Sequence, residues 1–257
     1  MTRFFPALLV FLSAFAACAQ TTLRIAAAAD LTPLLPPVLA EFEKTTGIHA
    51  EATFQASAML TTQIENGAPF DVFMSADLGY PKKLIDAGLA EGAVSDGSPA
   101  PITYAKGTLV LWERKDSKLP APGLELLQSP DLKRLAIANP DRAPYGKAAV
   151  AALTSLNLYD RLKPRIVTAE NIAQTAQFVE SGNADAGLIS LTSARTPQLS
   201  LSGSYWVVPR NLYPSIEQGV VIVKATTHRD AAQKFLDFLL SAPVQAELEK
   251  GGLTPAR

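Results

Sequence analysis

Cysteine is almost missing from this 257-residue chain: Cys18 is the single one. One thiol cannot build a disulfide framework or a thiolate metal site. Histidine is scarce as well, with only His49 and His228. They fall at a strand start and a helix start, so no His/Cys cluster has metal-ligand spacing and neither imidazole stands where a serine nucleophile would need its base. The chain has no G-x-S-x-G elbow and no phosphate-binding loop. Its net charge is only −1, from 23 basic and 24 acidic residues, which points to neither nucleic acid nor an anionic membrane surface. There is no low-complexity tract, and no apolar run is long enough to span a bilayer. These absences argue against an enzyme and leave a local binding site as the source of function.

What is present is an apolar, globular composition, 48% hydrophobic and 18% charged, in a chain long enough for one large domain or two smaller ones. The opening "MTRFFPALLVFLSAFAACAQTT" follows the pattern of an export signal. Arg3 supplies the positive region, Phe4 to Ala17 the short apolar run, and Ala17-Cys18-Ala19 a small-residue cleavage site. Cleavage after Ala19 defines a signal peptide over residues 1–19 and a periplasmic mature protein. It removes the only thiol and takes Arg3 from the 23 basic residues, leaving 22 against 24 acidic ones. The alternative, a lipobox "FAAC" with an anchor on Cys18, has Phe15 where Leu is usual.

From there strands and helices alternate, which predicts an α/β protein with largely parallel sheets. "LRIAAAAD" reads as a strand entering a small-residue loop, and Leu34, Leu35, Val38, Leu39 and Phe42 mark one face of the helix that follows. "AEATFQ", "DVFMSAD", "GTLVLWER", "RLAIANP", "AGLISL", "YWVVP" and "EQGVVIVK" read as further strands. "SAMLTTQIENG" is a helix with Ser57 at its N-cap, and two helices close the chain, the first with His228 at or beside its N-cap. The expected organisation is two lobes, residues 20–103 with 218–257 and residues 104–217, joined by crossings near Tyr104–Lys106 and Ile216–Gly219. Two crossings make a hinge, and the cleft between lobes is the expected ligand site.

Four loop-to-helix junctions repeat one theme: "AAAADL", "QASAML", "APYGKA" and "AENIAQ". Each sets small or neutral residues where a helix offers unpaired N–H groups and the positive end of its dipole. Such ends hold oxyanions without a cationic side chain. Each residue also has an ordinary structural use: Ser57 or Asp30 as a helix cap, Pro144 and Gly146 as turn formers. The recurrence on strand-loop-helix units from both expected lobes is what points to an anion site.

These junctions, within "AAAADLTPLLPPVLAEFEKTTGI", "FQASAMLTTQIENGAPFDVFMSAD", "YAKGTLVLW", "ANPDRAPYGKAAVAAL", "AENIAQTAQFVESGNADAGLISL" and "EQGVVIVK", make the chain resemble the periplasmic molybdate-binding proteins of ABC transporters. The resemblance implies a two-lobed type II periplasmic binding fold that closes on molybdate or tungstate and delivers it to a membrane permease. Sulfate, or another tetrahedral oxyanion, is the alternative ligand on that fold. No cofactor, no direct metal ligand, no nucleic acid and a monomeric protein are implied. Carried over by position, the anion contacts fall on Ala29 and Asp30, on the hydroxyl and amide of Ser57, and on the amides of Tyr145 and Ile172. Tyr145 is expected to use its N–H rather than its ring. Three features depart from the family pattern. Asp30 stands where Ser or Asn is common, so its carboxylate is expected to turn away and cap local N–H groups. Pro36 and Pro37 remove two donors and are expected to delay the first helix. Ser190 replaces a Tyr that contacts the anion in other members, which makes it a further candidate.

Overall fold

The computed structural model describes residues 22–95 and 97–255. The expected signal peptide and Cys18 lie outside the described residues. In chain order the first elements are β1 (Thr22–Ala28), a 3-10 turn (Ala29–Leu31), α1 (Leu35–Thr46), β2 (His49–Gln55), α2 (Ser57–Glu65), β3 (Val72–Ser75) and α3 (Gly79–Asp86). Then come β4 (Ala90–Glu91), the hairpin β5 (Ala93–Ser95) and β6 (Ser98–Ala100), β7 (Ile102–Gly107) and β8 (Leu109–Arg114). They are followed by α4 (Leu124–Gln128), β9 (Leu135–Ala138), α5 (Pro144–Ser155), α6 (Tyr159–Leu162), β10 (Ile166–Ala169) and α7 (Ile172–Glu180). The chain continues through β11 (Ala186–Ser190), α8 (Leu191–Ala194), α9 (Pro197–Ser202), β12 (Gly203–Val207), β13 (Ile216–Val223), α10 (Arg229–Leu239), α11 (Ala242–Lys250) and β14 (Thr254–Pro255).

Two large sheets result. The first has the order β14-β7-β13-β3-β1-β2, with β4 also paired to β13; the second has the order β10-β9-β11-β8-β12. Parallel pairing joins β1 to β2 and β3, and β9 to β10 and β11. The other large-sheet pairs are antiparallel, so the sheets are mixed rather than largely parallel as the alternation suggested. The reason is topological. The chain leaves the first sheet through β7, enters the second through β8, and returns through β13, and these long-range strands run against their neighbours.

The central strands β3, β9 and β11 are buried along their whole length, and their continuous small and aliphatic runs follow from having both faces covered. In α1 the buried Leu35, Val38, Leu39 and Phe42 form one helical stripe. Phe42 meets Phe235 of α10 edge to face, 5.4 Å between ring centroids, and packs at the same distance on Phe238. Pro36 and Pro37 do not delay α1. The helix begins at Leu35 and takes both prolines into its first turn, where N–H groups have no intrahelical partner to lose.

Five of the six strands with a parallel partner end at a short loop leading to the site region: β1 at Ala29, β2 at Ala56, β3 at Ala76, β9 at Asn139 and β10 at Glu170. The carboxyl ends of the two sheets therefore face a common cleft, the usual place for a ligand in open α/β sheets.

Candidate functional site

The four junctions singled out in the sequence come together. Ala29, Asp30, Ser57, Tyr145 and Ile172 line a single cavity, with Ala56, Ala76, Ala143, Pro144 and Asn171 completing most of its wall. It is small, about 10 Å³ in volume. No lysine, arginine or histidine is among its lining residues. Contacts between the two halves draw the cleft shut around it. The Ala58 amide donates to the Arg142 carbonyl at 3.2 Å, and the Tyr80 hydroxyl donates to the Asp141 carbonyl at 3.4 Å. Lys147 Nζ stands 5.1 Å from the centre of the Tyr80 ring.

The donors of the cavity are set by where each helix starts. Ala143 is the N-cap of α5, so Pro144 and Tyr145 open the helix; the proline has no N–H to leave unpaired, and the Tyr145 amide precedes the first intrahelical bond. Gly146 answers a different need from ligand approach. A Cβ there would stand 2.3 Å from the Ala138 carbonyl oxygen and 2.8 Å from the Asn139 backbone, so the missing side chain lets α5 start directly against the end of β9. Asn171 caps α7, its Oδ1 accepting from the Gln174 amide at 2.9 Å, and Ile172 opens that helix.

Ser57 is the first residue of α2, not its cap; Ala56 takes the cap position. The Ser57 Oγ instead accepts from the Ala76 amide at 3.1 Å, across to the end of β3. That leaves its hydroxyl proton to donate elsewhere, because a hydroxyl is one donor and two acceptors. Thus the serine ties two loops of the cavity together while keeping a donor.

Asp30 departs most from the sequence expectation. Its side chain does not cap local N–H groups. It is fully buried, and Oδ2 accepts from the Tyr145 hydroxyl at 3.2 Å and from Gln218 Nε2, while Oδ1 has no partner. Gln218 Oε1 in turn accepts from the Tyr104 hydroxyl at 2.7 Å. A buried line therefore runs from β7 through β13 to the 29–31 turn and on to α5. Amides of the turn after Asp30 are already paired with backbone, Thr32 N–H with the Ala29 carbonyl at 3.3 Å and Leu34 N–H with the Leu31 carbonyl at 2.9 Å. Burial pushes the Asp30 carboxyl up to about 6, against the opposing hydrogen bonds from Gln218 and Tyr145. Burial first, and the Asp30 charge second, hold the Tyr104 and Tyr145 phenols well above their ordinary value, so both stay protonated donors. The Tyr145 ring thus has its own work beside its amide. Its hydroxyl fits only because position 107 is glycine: a Cβ there would stand 2.3 Å from it.

Ser190 is not brought to the cavity wall. It caps α8, accepting from the Ser193 amide at 3.2 Å, and its Oγ lies 2.8 Å from Thr192 Oγ1. Thr192 Oγ1 donates to the Asp30 carbonyl at 2.8 Å, so Ser190 supports the site from one layer behind. The histidines stand apart: His49 Nδ1 is 2.9 Å from Glu43 Oε2, and His228, the N-cap residue of α10, has Nδ1 3.3 Å from Asp71 Oδ1. Sequence reasoning missed Gln218, Tyr104 and Thr192. The available signal was the glutamine in "EQGVVIVK", since an amide in a strand otherwise fit for burial must find a buried partner.

The sequence pattern of the bacterial extracellular solute-binding proteins matches residues 23–254. The chain belongs to that family. The chain is 39% identical over 225 residues to the molybdate-binding protein ModA of Azotobacter vinelandii, covering 87% of this chain and 86% of that one. It is 37% identical over 227 residues to the ModA protein of Rhodobacter capsulatus, covering 88% and 86%. Among solved structures, the periplasmic molybdate-binding protein of Azotobacter vinelandii superposes with a TM-score of 0.83 at 33% identity, over 91% of this chain and all of that one. The fold is the α/β type II periplasmic binding fold expected from the sequence. Members of a solute-binding family capture a molecule rather than convert it, and the chain is not an enzyme.

Proposed function

We infer that this protein captures molybdate or tungstate outside the cytoplasm and delivers it to the membrane permease of an ABC importer. The observation that carries the reading is the convergence, from both sheets, of first-turn amides on one cavity without a cation in its wall. Neutral donors at helix N-termini suit a fully desolvated oxyanion, which is bound as cargo and not as a cofactor. The names of the relatives at 37% and 39% identity support molybdate as the anion. In this reading the amides of Ser57, Tyr145 and Ile172, the Ser57 hydroxyl and the turn at Ala29 and Asp30 surround the anion. The protein is exported, works as a monomer, and has two lobes. In this reading the crossings expected near Tyr104–Lys106 and Ile216–Gly219 centre on the connections beside them, Thr108 between β7 and β8 and residues 208–215 ahead of β13. Contacts across the cleft hold it shut, so an anion enters when it opens, and those two crossings are where the opening is absorbed.

Thermal unfolding with molybdate, tungstate, sulfate and phosphate tests the reading. A ligand at a hundred times its Kd adds about 2.7 kcal/mol of stability, which for a chain of this size raises the Tm by roughly 5–10 °C. Molybdate and tungstate should produce that rise, and sulfate at the same concentration should produce much less. A larger shift with sulfate or phosphate would replace molybdate as the cargo, and no shift with any of the four would remove the oxyanion reading.

A further inference from the structure

Asp30 is an unusual wall for an anion site. It lines the cavity, is wholly buried, and commits Oδ2 to Tyr145 and Gln218 while Oδ1 is left without a partner. The groups that face its carboxyl are the phenol of Tyr145 on α5, the amide of Gln218 on β13 with Tyr104 of β7 behind it, and its own backbone amide, while the Thr192 hydroxyl of α8 holds the Asp30 main-chain carbonyl. All are neutral, and among the described residues no lysine, arginine or histidine contacts the carboxyl. Its charge is therefore uncompensated before any ligand arrives. An oxyanion seated in this cavity would add like charge at close range in a dry site, where such repulsion is strong. Oδ2 already accepts two hydrogen bonds, so the free oxygen Oδ1 is the one that can carry a proton and turn it outward.

We propose that Asp30 takes up one proton from solvent as the oxyanion binds, and that the protonated Oδ1 then donates a hydrogen bond to the anion, a statement that rests on the oxyanion reading of this cavity. No other bond forms or breaks. The carboxyl becomes neutral, Oδ2 keeps its bonds from Tyr145 and Gln218, and the orphaned oxygen acquires both a proton and an acceptor for it. Anion capture is then coupled to acidity: the site binds more tightly as pH falls toward the value at which the empty cleft protonates Asp30. With the empty-site carboxyl at about 6, nearly the whole proton must be gained at pH 7.5, and the uptake vanishes below about pH 5.

The test is isothermal titration of the full mature protein with sodium molybdate in two buffers of different ionisation enthalpy at pH 7.5. The result expected is uptake of close to one proton per anion, with Kd rising about tenfold for each pH unit between 7 and 8.5. Asp30→Asn supplies a neutral donor at the same place. It should bind molybdate with no proton uptake and no pH trend, up to about 30-fold more tightly than the parent at pH 7.5. Binding without proton uptake in the parent, or uptake that persists in Asp30→Asn, overturns the proposal while leaving the oxyanion reading in place. Should Asp30→Asn fail to fold, the proton count on the parent decides alone. Absence of molybdate binding at every pH from 5 to 8.5 removes both readings.

Discussion

Replacing Tyr145 by phenylalanine removes one oxygen atom and tests how the cleft is held. Read from sequence as a contributor of its amide, Tyr145 would tolerate the change with little effect. The structure gives a different expectation, because the phenol donates to the buried Asp30 carboxylate at 3.2 Å and so joins α5 to the turn after β1. With Asp30 protonated in the loaded form, the bond joins two neutral groups and contributes about 0.5–1.5 kcal/mol. The bond links the two halves only while the cleft is closed; in an open cleft water can serve both partners. Its loss therefore falls on the closed, loaded form and should weaken molybdate binding by roughly 2- to 13-fold. The deficit should be similar at pH 7 and pH 5, because the loaded carboxyl is protonated at both. Titration calorimetry at pH 7 and pH 5, with circular dichroism to check folding, measures both effects. An affinity within a factor of two of the parent at pH 7 would refute the assignment of the phenol as a cross-cleft tie and restore the amide-only reading.

Ser57→Ala should fail in two ways at once, since the hydroxyl holds the Ala76 amide at 3.1 Å and keeps a proton for the anion. Stranding the buried amide costs about 1–3 kcal/mol, a Tm lowered by roughly 2–10 °C, and the lost donor should weaken molybdate binding by one to two powers of ten, roughly. Loss of affinity with an unchanged Tm would mean that Ala76 finds another acceptor. The unliganded protein should also grow less stable, relative to Asp30→Asn, as pH rises from about 4 to about 6. A carboxyl raised from 3.8 to about 6 on folding binds more protons folded than unfolded in that window, so its penalty is absent below 4 and complete above 6, on the order of 3 kcal/mol. Chemical denaturation at pH 4.5 and 7 measures the difference, and parallel pH profiles for the two proteins would contradict it.

Much of this architecture was legible in the residues. Helical spacing gave the buried stripe of α1, and the loop-to-helix junctions gave the positions that line the cavity, because first-turn amides are a property of where a helix starts. What the sequence could not convey was partnership across the fold. Asp30 is 115 residues from Tyr145 and 188 from Gln218, and nothing local distinguishes a carboxylate that caps its own turn from one that reaches across a cleft. Ser57 looked like a cap for the same reason, although its acceptor role is to the end of another strand. The antiparallel return of β13 was hidden because an aliphatic run reads alike in either direction. Gly146 reads as an invitation to a ligand until the end of β9 is seen against it.

The central claim, that amides at helix starts from both sheets hold the anion, is tested most directly by a crystal structure of the molybdate complex using anomalous scattering from molybdenum. The account predicts a single strong peak in the cavity between Ser57, Tyr145 and Ile172, with anion oxygens about 2.7–3.1 Å from their amide nitrogens and from Ser57 Oγ. A peak elsewhere, or an anion in the cleft held by Lys147 or another cationic side chain instead of those amides, would contradict it.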